Sequence, residues 1–217
     1  MAQWSAENAT KAYLTTLKMG KRTKEPDISE FISAIAAGNN ARLIVITSAG
    51  PATSSIVQAL MAAARQTGAH VVCILGSLKD LQVSKQVLGP NADDQHIEFV
   101  IGDAQTLIQE DYEDTDFVVI DCNLQHHEGI LGAVKGGKRC SGAIVLGYNA
   151  ICNGSWQWSG VKAQLLPIGN GLLVTRIAPE NKIRPGRKSN WVVKVDRYTG
   201  EEHVFRVRFP HQKEINP

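Results

Sequence analysis

The sequence predicts an α/β fold: a mostly parallel sheet covered by helices on both faces and finished by hairpins. Three observations point there. From residue 42 to 146, short apolar runs alternate with helical patterns, the rhythm of parallel strands joined by crossover helices. After residue 160 the alternation stops, and apolar segments pair across turn-rich connections. Between the two patterns' first members, the run Leu43-Ile44-Val45-Ile46 feeds Thr47-Ser48-Ala49-Gly50-Pro51, a small-residue loop that opens a helix.

Each element has its own local reason. Ser5 is a good N-cap, and Ala9, Tyr13 and Leu17 recur every four residues beside Ala6 and Leu14, with Gly20 as the stop. A basic loop, Lys21 to Lys24, precedes a second helix that opens at Asp27, with Glu30 at capping-box spacing. That helix turns Ile28, Phe31, Ile32 and Ile35 inward and closes at Gly38. Strands are then expected at 42–46, 71–75, 97–101, 116–120 and 143–146. Helices are expected at 53–66, 78–88, from 104, and at 126–135. Segments 161–166 and 172–177, joined by Pro167 to Gly171, read as a hairpin finishing the sheet. Residues 179–190 are polar and basic and read as a linker. Segments 191–197 and 203–209 read as a second, C-terminal hairpin. The expected organisation is therefore 1–26 as an N-terminal helix and loop, 27–178 as the main domain, and 179–217 as linker and β-hairpin extension.

Bulk properties narrow the function classes. A formal net charge of +2 over 217 residues gives little attraction for nucleic acid. No apolar run is long enough for a bilayer, and the N-terminal ten residues lack a secretory pattern. The four cysteines include no Cys-x-x-Cys pair and read as reduced thiols of a cytoplasmic or nuclear protein. A small-molecule ligand is the expected partner, with neither membrane nor nucleic acid. A homo-oligomer stays open.

In open parallel sheets, ligands bind beyond the C-terminal strand ends. That rule nominates Thr47, Ser48, Ala49 and Gly50 in the first loop, Gly76 and Ser77 in the second, Gly102, Asp103 and Ala104 in the third, and Asp121 in the fourth. The first loop keeps one glycine, and Pro51 is expected in the first helical turn. Its hydroxyls either bond a ligand at the helix N-terminus or cap that helix themselves. The second strand ends without the carboxylate that a ribose diol favours. Asp80 is the nearest acid and falls in the following helix. His126, His127 and Glu128 are adjacent on a helix start, so they face different ways and do not share one ion. Asp121, His126 and Tyr148 are the candidates for proton handling. Trp156 and Trp158 serve either as an aromatic wall for a planar ligand or as packing. Neither a Gly-x-Ser-x-Gly elbow nor a phosphate loop ending Gly-Lys-Ser/Thr is present.

Four segments carry a family resemblance: IEFVIGDAQTLI, TDFVVIDCNL, SGAIVLGYNA and LLPIGNGLLVTRI. They resemble the third, fourth and fifth strands and the final hairpin of the class I methyltransferase fold, in particular the catechol and caffeoyl-coenzyme A O-methyltransferases. WSAENATKAYL and the overall length resemble a plant family of uncharacterised methyltransferase-like proteins. The resemblance covers about residues 27–178. It implies a Rossmann-like seven-stranded sheet with an antiparallel last strand. It also implies S-adenosyl-L-methionine as cofactor, with Gly102-Asp103-Ala104 near the adenine.

The functional residues of that family carry over poorly. Asp121 and Asn149 match the first and last ligands of its Mg²⁺ site, but Tyr148 stands where the second aspartate belongs, and a neutral phenol suits Mg²⁺ badly. Leu124 replaces the lysine base, Val45 replaces the first-loop acid, and the acid of strand two is missing. No metal is expected. The expectation is a methyltransferase-like protein with degenerate cofactor and metal sites, a binding or interaction protein with weak or lost catalysis. The alternative is a metal-independent S-adenosylmethionine-dependent methyltransferase acting on a small molecule. A third reading puts different chemistry, through Asp121, His126 or Tyr148, in the same pocket.

Overall fold

The computed structural model describes residues 4–19, 27–137, 142–152 and 158–179, together with the backbone of 189–195 and 202–208. It divides into two compact units, 1–180 and 181–217. The first unit holds helices α1 (Ala6–Met19), α2 (Ile28–Gly38), α3 (Ser54–Thr67), α4 (Leu78–Leu88), α5 (Ala104–Glu110) and α6 (His127–Gly136). Its strands are β1 (Leu43–Thr47), β2 (His70–Leu75), β3 (Ile97–Ile101), β4 (Phe117–Asp121), β5 (Ala143–Tyr148), β6 (Ala163–Leu166) and β7 (Leu172–Ile177). The second unit holds an antiparallel hairpin, β8 (Ser189–Val195) with β9 (Glu202–Arg208), in which Val192 lies opposite Phe205.

The seven strands of the first unit form one sheet in the order β3-β2-β1-β4-β5-β7-β6. All neighbours from β3 to β5 run parallel, and β7 runs antiparallel to both β5 and β6. The parallel part is apolar on both faces because helices cover both. On one face Ile44, Ile46, Val71, Cys73, Leu75, Phe117, Val119 and Leu146 pack against Ala12 of α1, Ile32 and Ala36 of α2, and Leu60 and Met61 of α3. On the other, Val45, Val72, Ile74, Val118, Ile120 and Val145 pack against Ile108 of α5 and Ile130, Leu131 and Val134 of α6. The chain runs outward from β1 to β3, then returns to place β4 on the other side of β1. That reversal opens a crevice at the C-terminal ends of β1 and β4.

Several local expectations need correction. α3 begins at Ser54, so Pro51 lies before the helix rather than in its first turn. Thr53 occupies the N-cap position but makes no side-chain cap bond, so the loop hydroxyls do not cap α3 through that residue. β4 and β5 run on to Asp121 and Tyr148, one and two residues beyond their expected ends. These two residues pair with each other across the ladder, and pairing overrides their polar character. Trp158 is 2% exposed and packs in the core, which removes it as a ligand wall. Trp156 and the N-terminal basic loop, 21–24, lie outside the described residues.

Candidate functional site

A cavity of about 520 Å³ lies at the C-terminal edge of the sheet, where β1, β2, β3 and β4 end. That is within the range of small-molecule sites, roughly 300–1,000 Å³. Of the residues nominated from sequence, it brings together Thr47, Ser48 and Ala49 after β1, Gly76 after β2, Gly102, Asp103 and Ala104 after β3, and His126 at the start of α6. Ile74, Leu75, Leu124 and Ile130 give it apolar wall, and Asn123, Gln105 and Gln125 add neutral polar groups. Gly50, Ser77, Asp121 and Tyr148 do not line it.

Each wall has a structural cause. Asp103 caps α5: its carboxylate accepts from the Thr106 N–H at 2.8 Å and the Thr106 hydroxyl at 2.9 Å. Those bonds hold its pKa below the usual carboxylate range, so Asp103 is an anion at the cavity rim. A Cβ at Gly102 would meet Leu107 Cδ1 at 2.9 Å, so a larger residue there requires the Leu107 side chain to shift. His126 precedes α6 without capping it by side chain. Ser77 caps α4, and its hydroxyl donates to Asp80 Oδ2 at 2.6 Å. Asp80 itself lines the cavity. By sequence this acid falls in a helix rather than at the strand end, yet the first turn of α4 brings it back over the end of β2.

Asp121 stands behind the cavity, 7% exposed, with its carboxylate spent on the chain itself. Oδ2 accepts from the Ala49 N–H at 3.2 Å, and Oδ1 accepts from the Asn123 N–H and from the Asn149 amide, both at 3.0 Å. One side chain therefore ties together the loops after β1, β4 and β5. Asn149 is held in turn, its Oδ1 accepting from Asn170 Nδ2 at 3.4 Å, and its backbone takes φ +60°, a conformation asparagine tolerates.

Tyr148 is 3% exposed. Its hydroxyl has no hydrogen-bond partner; Ser48, Thr53 and Asp121 are its polar neighbours but stand outside bonding geometry. Burial, then the Asp121 charge, pushes its pKa well above the usual phenol value, so it is a neutral phenol. The Thr47 and Ser48 hydroxyls are also buried without partners.

This corner does not fit a divalent cation. Mg²⁺ needs several hard oxygen donors, whereas Asp121 accepts three hydrogen bonds, Asn149 is engaged on both sides, and Tyr148 is neutral and buried. Among the described residues, no three His, Cys, Asp or Glu side chains cluster so as to hold a metal ion. Nor is any described helix long and apolar enough to cross a membrane.

Sheet order, the antiparallel β7 and a cavity over the strand ends define a Rossmann-like fold of the methyltransferase type. Solved structures agree. A methyltransferase of Podospora anserina, bound to S-adenosylhomocysteine, superposes with a TM-score of 0.58 at 13% identity, over 82% of this chain and 91% of that one. A Staphylococcus aureus protein assigned as a caffeoyl-CoA O-methyltransferase gives 0.56 at 14% identity, over 80% and 93%. The O-methyltransferase TomG of Streptomyces achromogenes, in complex with S-adenosylmethionine, gives 0.54 at 13% identity, over 81% and 91%. At such identities the likeness concerns the fold. The chain belongs to the family described as "protein of unknown function (DUF1442)", whose model matches residues 1–207. No curated protein matches the sequence.

Proposed function

We propose that the cavity binds an adenosyl ligand of the S-adenosylmethionine type without a metal, in a methyltransferase-fold protein whose inherited metal-dependent catalysis is lost. The observation that carries this is the state of Asp121. The acid that would anchor a metal is hydrogen-bonded to three loops, while the cavity beside it stays open, with apolar wall and a few polar groups. The Gly102–Ala104 segment lets backbone approach a ligand, Leu124 and Ile130 offer apolar surface to a base, and two carboxylates, Asp80 and Asp103, face the space. Nucleoside capture needs such a mixture of apolar wall and few placed polar groups.

A second reading is favoured by one observation. His126 lines the same cavity and could accept a proton from a small acceptor, so methyl transfer driven by alignment alone stays chemically open. One pair of measurements decides between the two. Calorimetric titration with S-adenosylmethionine and S-adenosylhomocysteine is expected to show binding, and no binding at millimolar ligand would dismiss both readings. Incubation with methyl-labelled donor and a panel of small phenols and carboxylates is expected to give no transfer. Labelled product that is lost in His126→Ala would establish the second reading instead.

A further inference from the structure

We infer that the C-terminal unit is a docking surface for single-stranded nucleic acid, centred on the end of the β8–β9 ribbon that carries Trp191, Arg206 and Arg208. The inference is independent of the adenosyl reading.

The overall charge of +2 averages two unlike parts. Residues 1–180 hold 14 Lys and Arg against 17 Asp and Glu, a net −3. Residues 181–217 hold nine against four, a net +5. Such asymmetry within one chain points to a polyanionic partner for the basic part.

The ladder register sorts these charges along the ribbon. Ser189 lies opposite Arg208 and Trp191 opposite Arg206, at the end where β8 begins and β9 stops. Arg187 and Lys188 immediately precede Ser189 in the sequence. The acids belong to the other end. Val195 lies opposite Glu202 there, and Asp196 and Glu201 fall in the connection, so that Lys194 and Arg197 are outnumbered. Residues directly opposite in an antiparallel pair share a face. Trp191, Arg206 and Arg208 therefore occupy one face, with the two arginines about 7 Å apart along β9.

Cations alone would fit any polyanion, and the tryptophan among them narrows the choice. An unpaired base offers a π face to an indole while its phosphate meets a guanidinium, the combination on which single-strand binding rests. An acidic peptide has no such face, and a duplex keeps its bases stacked on one another. Edge protection calls for charge on a two-stranded ribbon. It calls neither for the two signs to be parted nor for an aromatic residue at the basic end.

The test is fluorescence anisotropy of the full chain with labelled 12-nucleotide oligo-U and oligo-dT, each titrated between 50 and 200 mM salt. A duplex of the same length, polyglutamate and anionic vesicles are the competitors, and circular dichroism verifies the fold of each variant. Wild type is expected to bind the single strands more tightly than any competitor, with affinity falling as salt rises. Arg206→Gln/Arg208→Gln is expected to flatten the slope of log K against log salt by about 1.4, the loss of two phosphate contacts. Arg187→Gln/Lys188→Gln, which removes charge from the same end without altering either strand, is expected to flatten it too. Trp191→Leu is expected to weaken binding about fivefold or more and to leave the slope unchanged, since stacking releases no counterions. No binding of either oligonucleotide at 50 mM salt, stronger binding of a competitor, or affinity that survives both charge-removing pairs overturns the assignment.

Discussion

Asn149 takes a left-handed backbone conformation while its amide donates to Asp121, so two separate demands meet on one side chain. Asn149→Gly keeps the conformation and loses the bond, whereas Asn149→Ala loses both. We expect Asn149→Ala to cost about 2–3 kcal/mol, from about 1–2 for the left-handed backbone and about 1 for the hydrogen bond. Asn149→Gly is expected to cost visibly less, and urea denaturation of the two variants measures the difference. Tyr148 gives the opposite prediction. Its buried hydroxyl bonds nothing, so Tyr148→Phe is expected to fall within about 1 kcal/mol of wild type or to be slightly more stable. The folded chain keeps this phenol protonated above the ordinary tyrosine pKa of about 10. Its contribution is therefore intact below that pH and is lost as pH rises toward the folded value. Cys73 and Cys122, both pushed up to about 12 by burial, begin to lose theirs from lower pH. Denaturation midpoints between pH 9 and 12 should fall for both proteins, and less steeply for Tyr148→Phe.

Close packing between elements sets a second group of expectations. β5 crosses the sheet beneath Trp158, and a Cβ at Gly147 would stand 2.5 Å from the indole ring and 2.9 Å from Cys122 Sγ. Trp158 is buried and cannot swing away. Gly147→Ala should therefore cost about 1–3 kcal/mol, while Gly76→Ala, which meets only open space, should stay within about 0.5 kcal/mol. Thermal melts of the pair check this.

The same elements show what a sequence can reveal. α2 was readable from Asp27 and Glu30, and its capping box forms as their spacing implies, because the motif is local. The apolar runs of β1 to β5 were readable because a strand buried on both faces has nowhere to put polar residues. The ends of β4 and β5 were not, because Asp121 and Tyr148 are strand residues only by virtue of each other. Trp158 was ambiguous for a related reason: whether an aromatic ring packs or faces a ligand depends on Gly147 of β5 and Cys122 just past β4, both distant in sequence.

At the scale of the whole molecule, the sheet order positions a cavity at the strand ends, and the loops after β1 to β4 surround it. The nominated loops after β1, β2 and β3 do meet at that cavity, as the strand-end rule implies. What sequence could not show was which side chains meet there. Asp121 matches a metal ligand in sequence but serves as a hydrogen-bond hub in space, and Asp80, five residues past the end of β2, reaches the wall by one helical turn. Both outcomes depend on three-dimensional neighbours that no spacing encodes.

If the cavity takes an adenosyl ligand as proposed, binding is independent of a divalent cation. The direct test is the affinity for S-adenosylhomocysteine measured by calorimetry in EDTA and again in excess Mg²⁺. We predict the same dissociation constant in both. Binding that appears only with Mg²⁺, or strengthens tenfold in its presence, would overturn the metal-free reading.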